Sequence, residues 1–173
     1  NVDFDVCHIS AQAGAIAARN GYLQELDYSQ FDSAEMEGIA PSGRKPWGVS
    51  SFYYAFVLCA NRQLYKGATM PASWADFWDT KRFPGPRVLH SGDNGADGPW
   101  EFALLADGVT ADKLYPLDLD RAYRSLDKIK PHIRKWWKVG SEAQQLFHDN
   151  VAHIGENFEG RAIAMQDEGK PIE

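Results

Sequence analysis

Between Met70 and Trp100 the chain writes a helix, a strand, a loop and a second helix in immediate succession, and that order restricts the architectures open to it. Pro71-Ala-Ser-Trp-Ala-Asp-Phe-Trp-Asp79 reads as a helix start, with Ser73 as N-cap and Asp76 three residues on as the capping-box acid. Arg87-Val-Leu-His90 reads as a short strand. Ser91 to Trp100 is an acidic, glycine-rich turn that feeds a helix over Glu101 to Ala106. In open α/β sheets, ligands bind beyond the carboxyl ends of strands, where a loop enters a helix. Asp93 and Asp97 stand at that place and form the first candidate site.

The rest of the chain continues the alternation. Val2 to Ile9 reads as a strand, and Ser10 caps a small-residue helix through Ala18 that Asn20-Gly21 closes. Residues 27–46 hold many turn formers and read as a loop-rich connection. Trp47 to Ala60 is a long extended run of aromatic and β-branched residues. Asp118 to Lys130 is the cleanest helix: Leu119, Ala122, Tyr123, Leu126 and Ile129 recur at helical spacing, and Pro131 ends it. Ser141 is placed to cap another helix through His148, with Ala143, Leu146 and Phe147 facing inward. Val151 to Gly155 reads as a strand and Gly160 to Glu168 as a helix. Strands alternating with helices predict a layered α/β fold.

Composition narrows the function classes. Hydrophobic content of 44% supports a core, and no apolar run approaches the roughly 18 residues of a membrane span. A net charge of −6 argues against nucleic acid, which needs clustered Lys and Arg, and is compatible with a cationic ligand. Cys7 and Cys59 both fall in apolar strands and read as small buried hydrophobes, with a disulfide in an oxidising compartment as the alternative. Without a Cys-x-x-Cys pair a structural zinc site is not expected. His8, His90 and His153 lie near predicted strand ends but form no short ligand motif, so no metal and no cofactor is expected. Trp136-Trp137 reads as a packing or strand element.

Four blocks, in order, carry a family resemblance. Pro71 to Leu89 resembles the entry to the second lobe of extracytoplasmic solute-binding proteins of bacterial ABC importers, in their spermidine/putrescine-binding branch. Val2 to Gln30 resembles a strand, helix and Gly-Tyr-Leu segment of the first lobe. Trp47 to Tyr65 resembles the hinge-crossing strand, and Asp118 to Phe147 resembles the helix, Lys-Pro break and following helix of lobe two. The resemblance implies a periplasmic-binding-protein type II-like α/β fold comprising most of lobe two and part of lobe one. Residues 1–48 would be a partial first lobe, 49–60 a hinge-crossing strand, and 61–173 a second lobe incomplete at its C-terminus. At 173 residues the chain resembles an internal piece, since two lobes of domain size need about twice that length.

The resemblance also implies a site. Relatives place acidic residues in the loop of Asp93 and Asp97, where they meet ligand ammonium groups. In Ile154-Gly-Glu-Asn-Phe-Glu-Gly-Arg161, Phe158 occupies the position of a tryptophan that packs on the ligand's methylenes, and Glu156 and Glu159 add charge outside the family pattern. Phenylalanine keeps the apolar face and loses much of the cation–π strength, so an organic cation other than spermidine or putrescine fits as well. Ser10 matches a cleft-lining serine, with Gln12 roughly where an aromatic is common. From the hinge run, alternate residues such as Ser51 and Tyr53 are expected on the cleft floor.

The expected function is therefore a solute-binding receptor that captures a polyamine or similar small organic cation and delivers it to an ABC permease outside the cytoplasm. A further segment or chain completing the first lobe is an expected partner. A receptor for a small carboxylate or other anion is the alternative, held at helix N-termini such as Ser10, Ser141 and Gly160 with Arg161 or Arg44. An enzyme using Asp93, Asp97 or Glu101 as acid and base has no recognisable signature, and no catalytic residue is expected.

Overall fold

Local capping chemistry decides most helix starts in the computed structural model, which describes residues 5–65, 70–93 and 97–173. The chain divides into two compact units, Asn1–Tyr53 and Tyr54–Glu173. In the first, α1 (Ala11–Arg19) opens at Ser10, whose Oγ accepts the Ala13 N–H at 3.2 Å. It closes at Gly21, whose φ of 74° suits glycine. The stretch 27–46, expected to be loop, contains a short helix, α2 (Ser33–Gly38), because Asp32 and Glu35 form a complete capping box. Arg44 donates to the carbonyls of Met36 and Ile39 and so satisfies the end of that helix. Strand β1 (Arg44–Lys45) pairs antiparallel with β2 (Gly48–Val49).

Two expectations fail here. Residues 5–9 form no strand, and Val2 to Phe4 lie outside the described residues. Extended backbone without a neighbour has no ladder to join, and Cys7 is accordingly exposed rather than buried. The Trp47–Ala60 run is also not one strand: it holds β2, an irregular stretch over 50–55, and β3 (Phe56–Ala60).

The second unit is built on one four-stranded sheet. Ser73 opens α3 (Trp74–Trp78), accepting the Asp76 N–H while the Asp76 carboxylate accepts from Ala72 N–H and Ser73 O–H. Strand β4 (Arg87–His90) is buried at every residue, then α4 (Trp100–Ala106), α5 (Leu119–Ile129), β5 (Ile133–Trp137), α6 (Gly140–His148), β6 (Ile154–Phe158) and α7 (Glu159–Asp167) follow. The strand order is β3-β6-β4-β5, with β4 parallel to both β5 and β6, and β3 antiparallel to β6. One face carries Leu89 and Ile154 under Phe77, Phe83, Leu104 and Ile129 from α3, α4, α5 and their loops. The other carries Val88 and Cys59 under Phe147 of α6 and Met165 of α7. Both faces are covered, as a parallel sheet requires.

Close approach of the strands explains one glycine. A Cβ on Gly155 of β6 would lie 2.4 Å from Val88 Cγ2 and 2.8 Å from Val88 O. Arg87 is 1% exposed and uses its guanidinium as internal scaffolding, donating to the carbonyls of Phe77, Gly85 and Phe83. The last residues return to the sheet, where Ala60 and Glu173 exchange backbone hydrogen bonds.

Three details differ from the sequence pattern. Leu119 and Tyr123 are half exposed although they share the spacing of buried Ala122, Leu126 and Ile129, so the apolar stripe of α5 is narrower than the one read. Ser141 lies inside α6; Val139 is the N-cap, and the Glu142 carboxylate accepts the Lys138 N–H instead. The strand expected at Val151–Gly155 is shifted to Ile154–Phe158.

Candidate ligand crevice at the carboxyl ends of the sheet

The direction in which chain segments leave the sheet creates a site. From β4 the chain runs to α4 on one face, whereas from β6 it enters α7 on the other. Neighbouring parallel strands whose connections depart to opposite faces leave a crevice between their carboxyl ends. The ladder stops at that place: β4 and β6 pair at Arg87↔Ile154 and Val88↔Gly155 and no further. Beyond that point the Glu156 carboxylate takes the place of a strand neighbour, and its Oε2 accepts the His90 N–H at 3.0 Å.

Glu156 is 0% exposed, and its Oε1 has no hydrogen-bond partner. Burial, with the negative charges of Asp97 and Glu101 adding to it, raises its pKa to about 8, against the lowering effect of the His90 N–H. His90, the last residue of β4, is held below its ordinary pKa by burial, with Asp97 and Asp93 opposing. Of the five buried side-chain polar atoms without a partner among the described residues, four sit at this edge: His90 Nδ1, Trp137 Nε1, Glu156 Oε1 and Asn157 Nδ2. Such atoms are rare singly, and four on the ends of three adjacent strands mark a place built to hold something polar.

An aromatic wall surrounds them. Phe158 lies 4.6 Å from Phe56 and 5.3 Å from Tyr54 between ring centroids. His90 lies 4.5 Å from Trp137 and stacks on Phe56 at 5.9 Å. Burial, helped by Asp97, raises the Tyr54 hydroxyl's pKa. The start of α6 presses on the same wall: a Cβ on Gly140 would fall 2.6 Å from the Phe158 ring and 2.7 Å from Arg161 Nε. An apolar wall with a few convergent polar groups is the ordinary make-up of a small-molecule site.

Of the residues singled out in the sequence, Glu156, Phe158 and Asp97 meet at this crevice, Asp97 through its electrostatic action on Glu156, His90 and Tyr54. Asp93 is exposed and paired with Lys138 at 2.5 Å, which holds its carboxyl below the ordinary range. The remaining four belong to the first unit. Ser10 is the cap of α1, and Gln12 is exposed on that helix. Ser51 Oγ lies 3.4 Å from His8 Nε2, and the Tyr53 hydroxyl shares a 2.9 Å hydrogen bond with Ser42. Arg44 is engaged by α2 carbonyls, and Arg161 donates to Gln144 at 2.9 Å. The sequence passes over Asn157, and it weighs His90 only as a metal ligand, which it rejects; the place of each near the end of a strand was the available signal. No cluster of His, Cys, Asp and Glu suited to a metal occurs among the described residues.

The two-faced α/β fold matches that of periplasmic-binding-protein-like ABC substrate-binding proteins. The chain belongs to the bacterial extracellular solute-binding protein family, whose model matches residues 1–173. It is 33% identical over 174 residues to the gamma-aminobutyric acid-binding protein of Pseudomonas aeruginosa, covering 97% of this chain and 47% of that one. Among solved structures it is similar to the Atu4243-GABA receptor, at 43% identity and a TM-score of 0.79 over 92% of this chain and 48% of that one. An ABC transporter substrate-binding protein from Bradyrhizobium japonicum USDA 110 gives 36% identity and a TM-score of 0.81 over 94% and 48%. The chain thus spans about half the length of the relatives it matches.

Proposed function

We propose that this chain is part of an extracytoplasmic receptor that captures a small ω-amino acid of the 4-aminobutyrate class and presents it to an ABC permease. The observation that carries the reading is the unpartnered Oε1 of fully buried Glu156, set beside Asp97 and an aromatic wall at a switch-point crevice. An ammonium group taken out of water needs a paired anion and acceptors, and Glu156 and Asp97 supply both. The methylenes of such a solute suit Phe158 and Phe56. Its carboxylate needs a cation; Arg161, beside Phe158, makes no ion pair among the described residues.

This reading joins the two expectations drawn from the sequence, since an ω-amino acid presents a cation at one end and an anion at the other. The likeness to two proteins named for 4-aminobutyrate favours it over a polyamine, which carries no carboxylate for Arg161. Ser10, Gln12, Ser51 and Tyr53 of the first unit are proposed as further solute contacts and residues 49–60 as a hinge; hinge motion is how two-lobed receptors close on their solutes. Calorimetric titration of the full-length protein with 4-aminobutyrate, putrescine, spermidine and a neutral amide of similar length tests the reading. Binding of 4-aminobutyrate well above the others supports it; a stronger response to either polyamine restores the organic-cation reading.

A further inference from the structure

The carboxyl group of Glu156 occupies an unusual position for an acid meant to meet a cation. It is fully enclosed, holds a single hydrogen bond, from the His90 N–H, and its second oxygen has no hydrogen-bond partner. No Lys or Arg forms an ion pair with it among the described residues. The two charged groups that act on it, Asp97 and Glu101, are also unfavourable to a negative charge. Asp97 comes from the loop after β4 and Glu101 from α4, where it accepts from the Tyr115 hydroxyl at 2.7 Å. On β3 stands Cys59, a thiol that burial pushes up to about 12 and that therefore stays neutral. His90 on β4 is also biased to neutrality by burial, and Tyr54 before β3 keeps its proton. Past the strand end, α7 brings Glu159 and Arg161.

We propose that Glu156 is a neutral acid in the empty crevice and ionises when an ammonium-bearing solute docks against it, so that capture releases a proton. This rests on the assignment of the crevice to such a solute. The step balances simply: the Glu156 carboxylic acid gives its proton to bulk water or buffer, and the resulting carboxylate pairs with the solute's ammonium, which keeps all three of its protons. No bond of the solute changes. Among the described residues no cation touches Oε1, so an arriving one supplies a favourable charge within a few ångströms, which drives an acid toward its ionised form. The empty site then avoids a buried, unpaired carboxylate, which is costly.

Two linked readouts follow from a starting value of about 8 for Glu156. At pH 7 about 0.9 proton should be released per 4-aminobutyrate bound, falling to about 0.1 at pH 9. Affinity should be on the order of fiftyfold tighter at pH 8 than at pH 6, a range over which the solute's amine remains protonated. The experiment is calorimetric titration of the full-length protein with 4-aminobutyrate in phosphate, HEPES and Tris at pH 6, 7, 8 and 9; the slope of heat against buffer ionisation enthalpy counts protons. Glu156→Gln, which keeps the acceptor for His90 and removes the ammonium's anion, should bind more weakly, with no proton released and no pH trend in the binding that remains. In the ligand-free wild type, infrared spectra should show a protonated carboxyl band that disappears as pH rises through 8, a readout that does not depend on the variant folding. Binding with no proton released, release unchanged in Glu156→Gln, or absence of the band would overturn the proposal while leaving the solute assignment standing. If no ammonium-bearing solute binds, the assignment of the crevice falls and the proposal falls with it.

Discussion

Replacing Glu156 by Gln removes the one buried acid of the sheet, and the structure fixes how its stability should respond to pH. The native carboxyl titrates near 8 against an ordinary value of 4.5 because burial disfavours its charged form. A group whose native pKa is raised binds more protons when folded than when unfolded, so its contribution is fully present below about pH 4.5 and is lost as pH climbs toward 8. At about 1.4 kcal/mol per pH unit, the wild type should lose about 2–3 kcal/mol relative to Glu156→Gln between pH 5 and pH 7. The loss should grow to about 3.5–4 kcal/mol by pH 8–9. Burial depresses His90 and His153 as well, and these oppose the trend below about pH 6.5, since a lowered histidine favours the fold only above its unfolded pKa. The difference between the two proteins cancels them. Urea unfolding of both at pH 5, 6, 7 and 8, with free energies compared at each pH, makes the measurement. A difference that stays constant across this range would refute the buried, proton-carrying acid.

Further outcomes follow from the same geometry. Gly155→Ala should lower stability by about 1–3 kcal/mol, read from the urea midpoint, because its Cβ would meet Val88 at 2.4 Å. Asp97→Asn should weaken 4-aminobutyrate binding by about 2–5 kcal/mol, roughly thirtyfold to several-thousandfold, as measured by calorimetry. Phe158→Ala should cost less, on the order of 1–2 kcal/mol of affinity, in the same titration. Arg87→Met should destabilise the protein by several kcal/mol, on the order of 2–5, in thermal or urea melts, because the carbonyls of Phe77, Gly85 and Phe83 lose their donor.

What could be read from the sequence was local. Ser73 with Asp76, Ser10 with its helix, Asn20-Gly21 and Pro131 are capping and breaking signals that act within a few residues, and the structure honours each of them. The Asp32–Glu35 box was equally local and went unread beneath the turn-rich composition around it. Strand β6 was placed three residues early for a different reason. Its true span includes Glu156 and Asn157, polar residues that periodicity assigns to a loop and that the carboxyl end of the sheet accommodates. Val2–Ile9 and Trp47–Ala60 carry strand-like residues, but strand formation depends on partners distant in sequence. Residues 5–9 and 50–55 form no ladder, and β3 gains one from β6. The acidic loop, Glu156 and Phe158 were visible as residue types at strand ends. The pairing of Asp93 with Lys138 and the unpartnered oxygen of Glu156 required the register of three strands to be known.

The central claim is that a carboxylate-lined crevice selects a solute by its ammonium group. The most direct measurement is the ratio of dissociation constants for 4-aminobutyrate and its N-acetyl derivative on the full-length protein, at pH 8 in one buffer. Acetylation keeps the chain and the carboxylate while removing the positive charge, so the claim predicts a loss of at least about 2 kcal/mol, roughly thirtyfold or more. Equal affinity for the two compounds would contradict it.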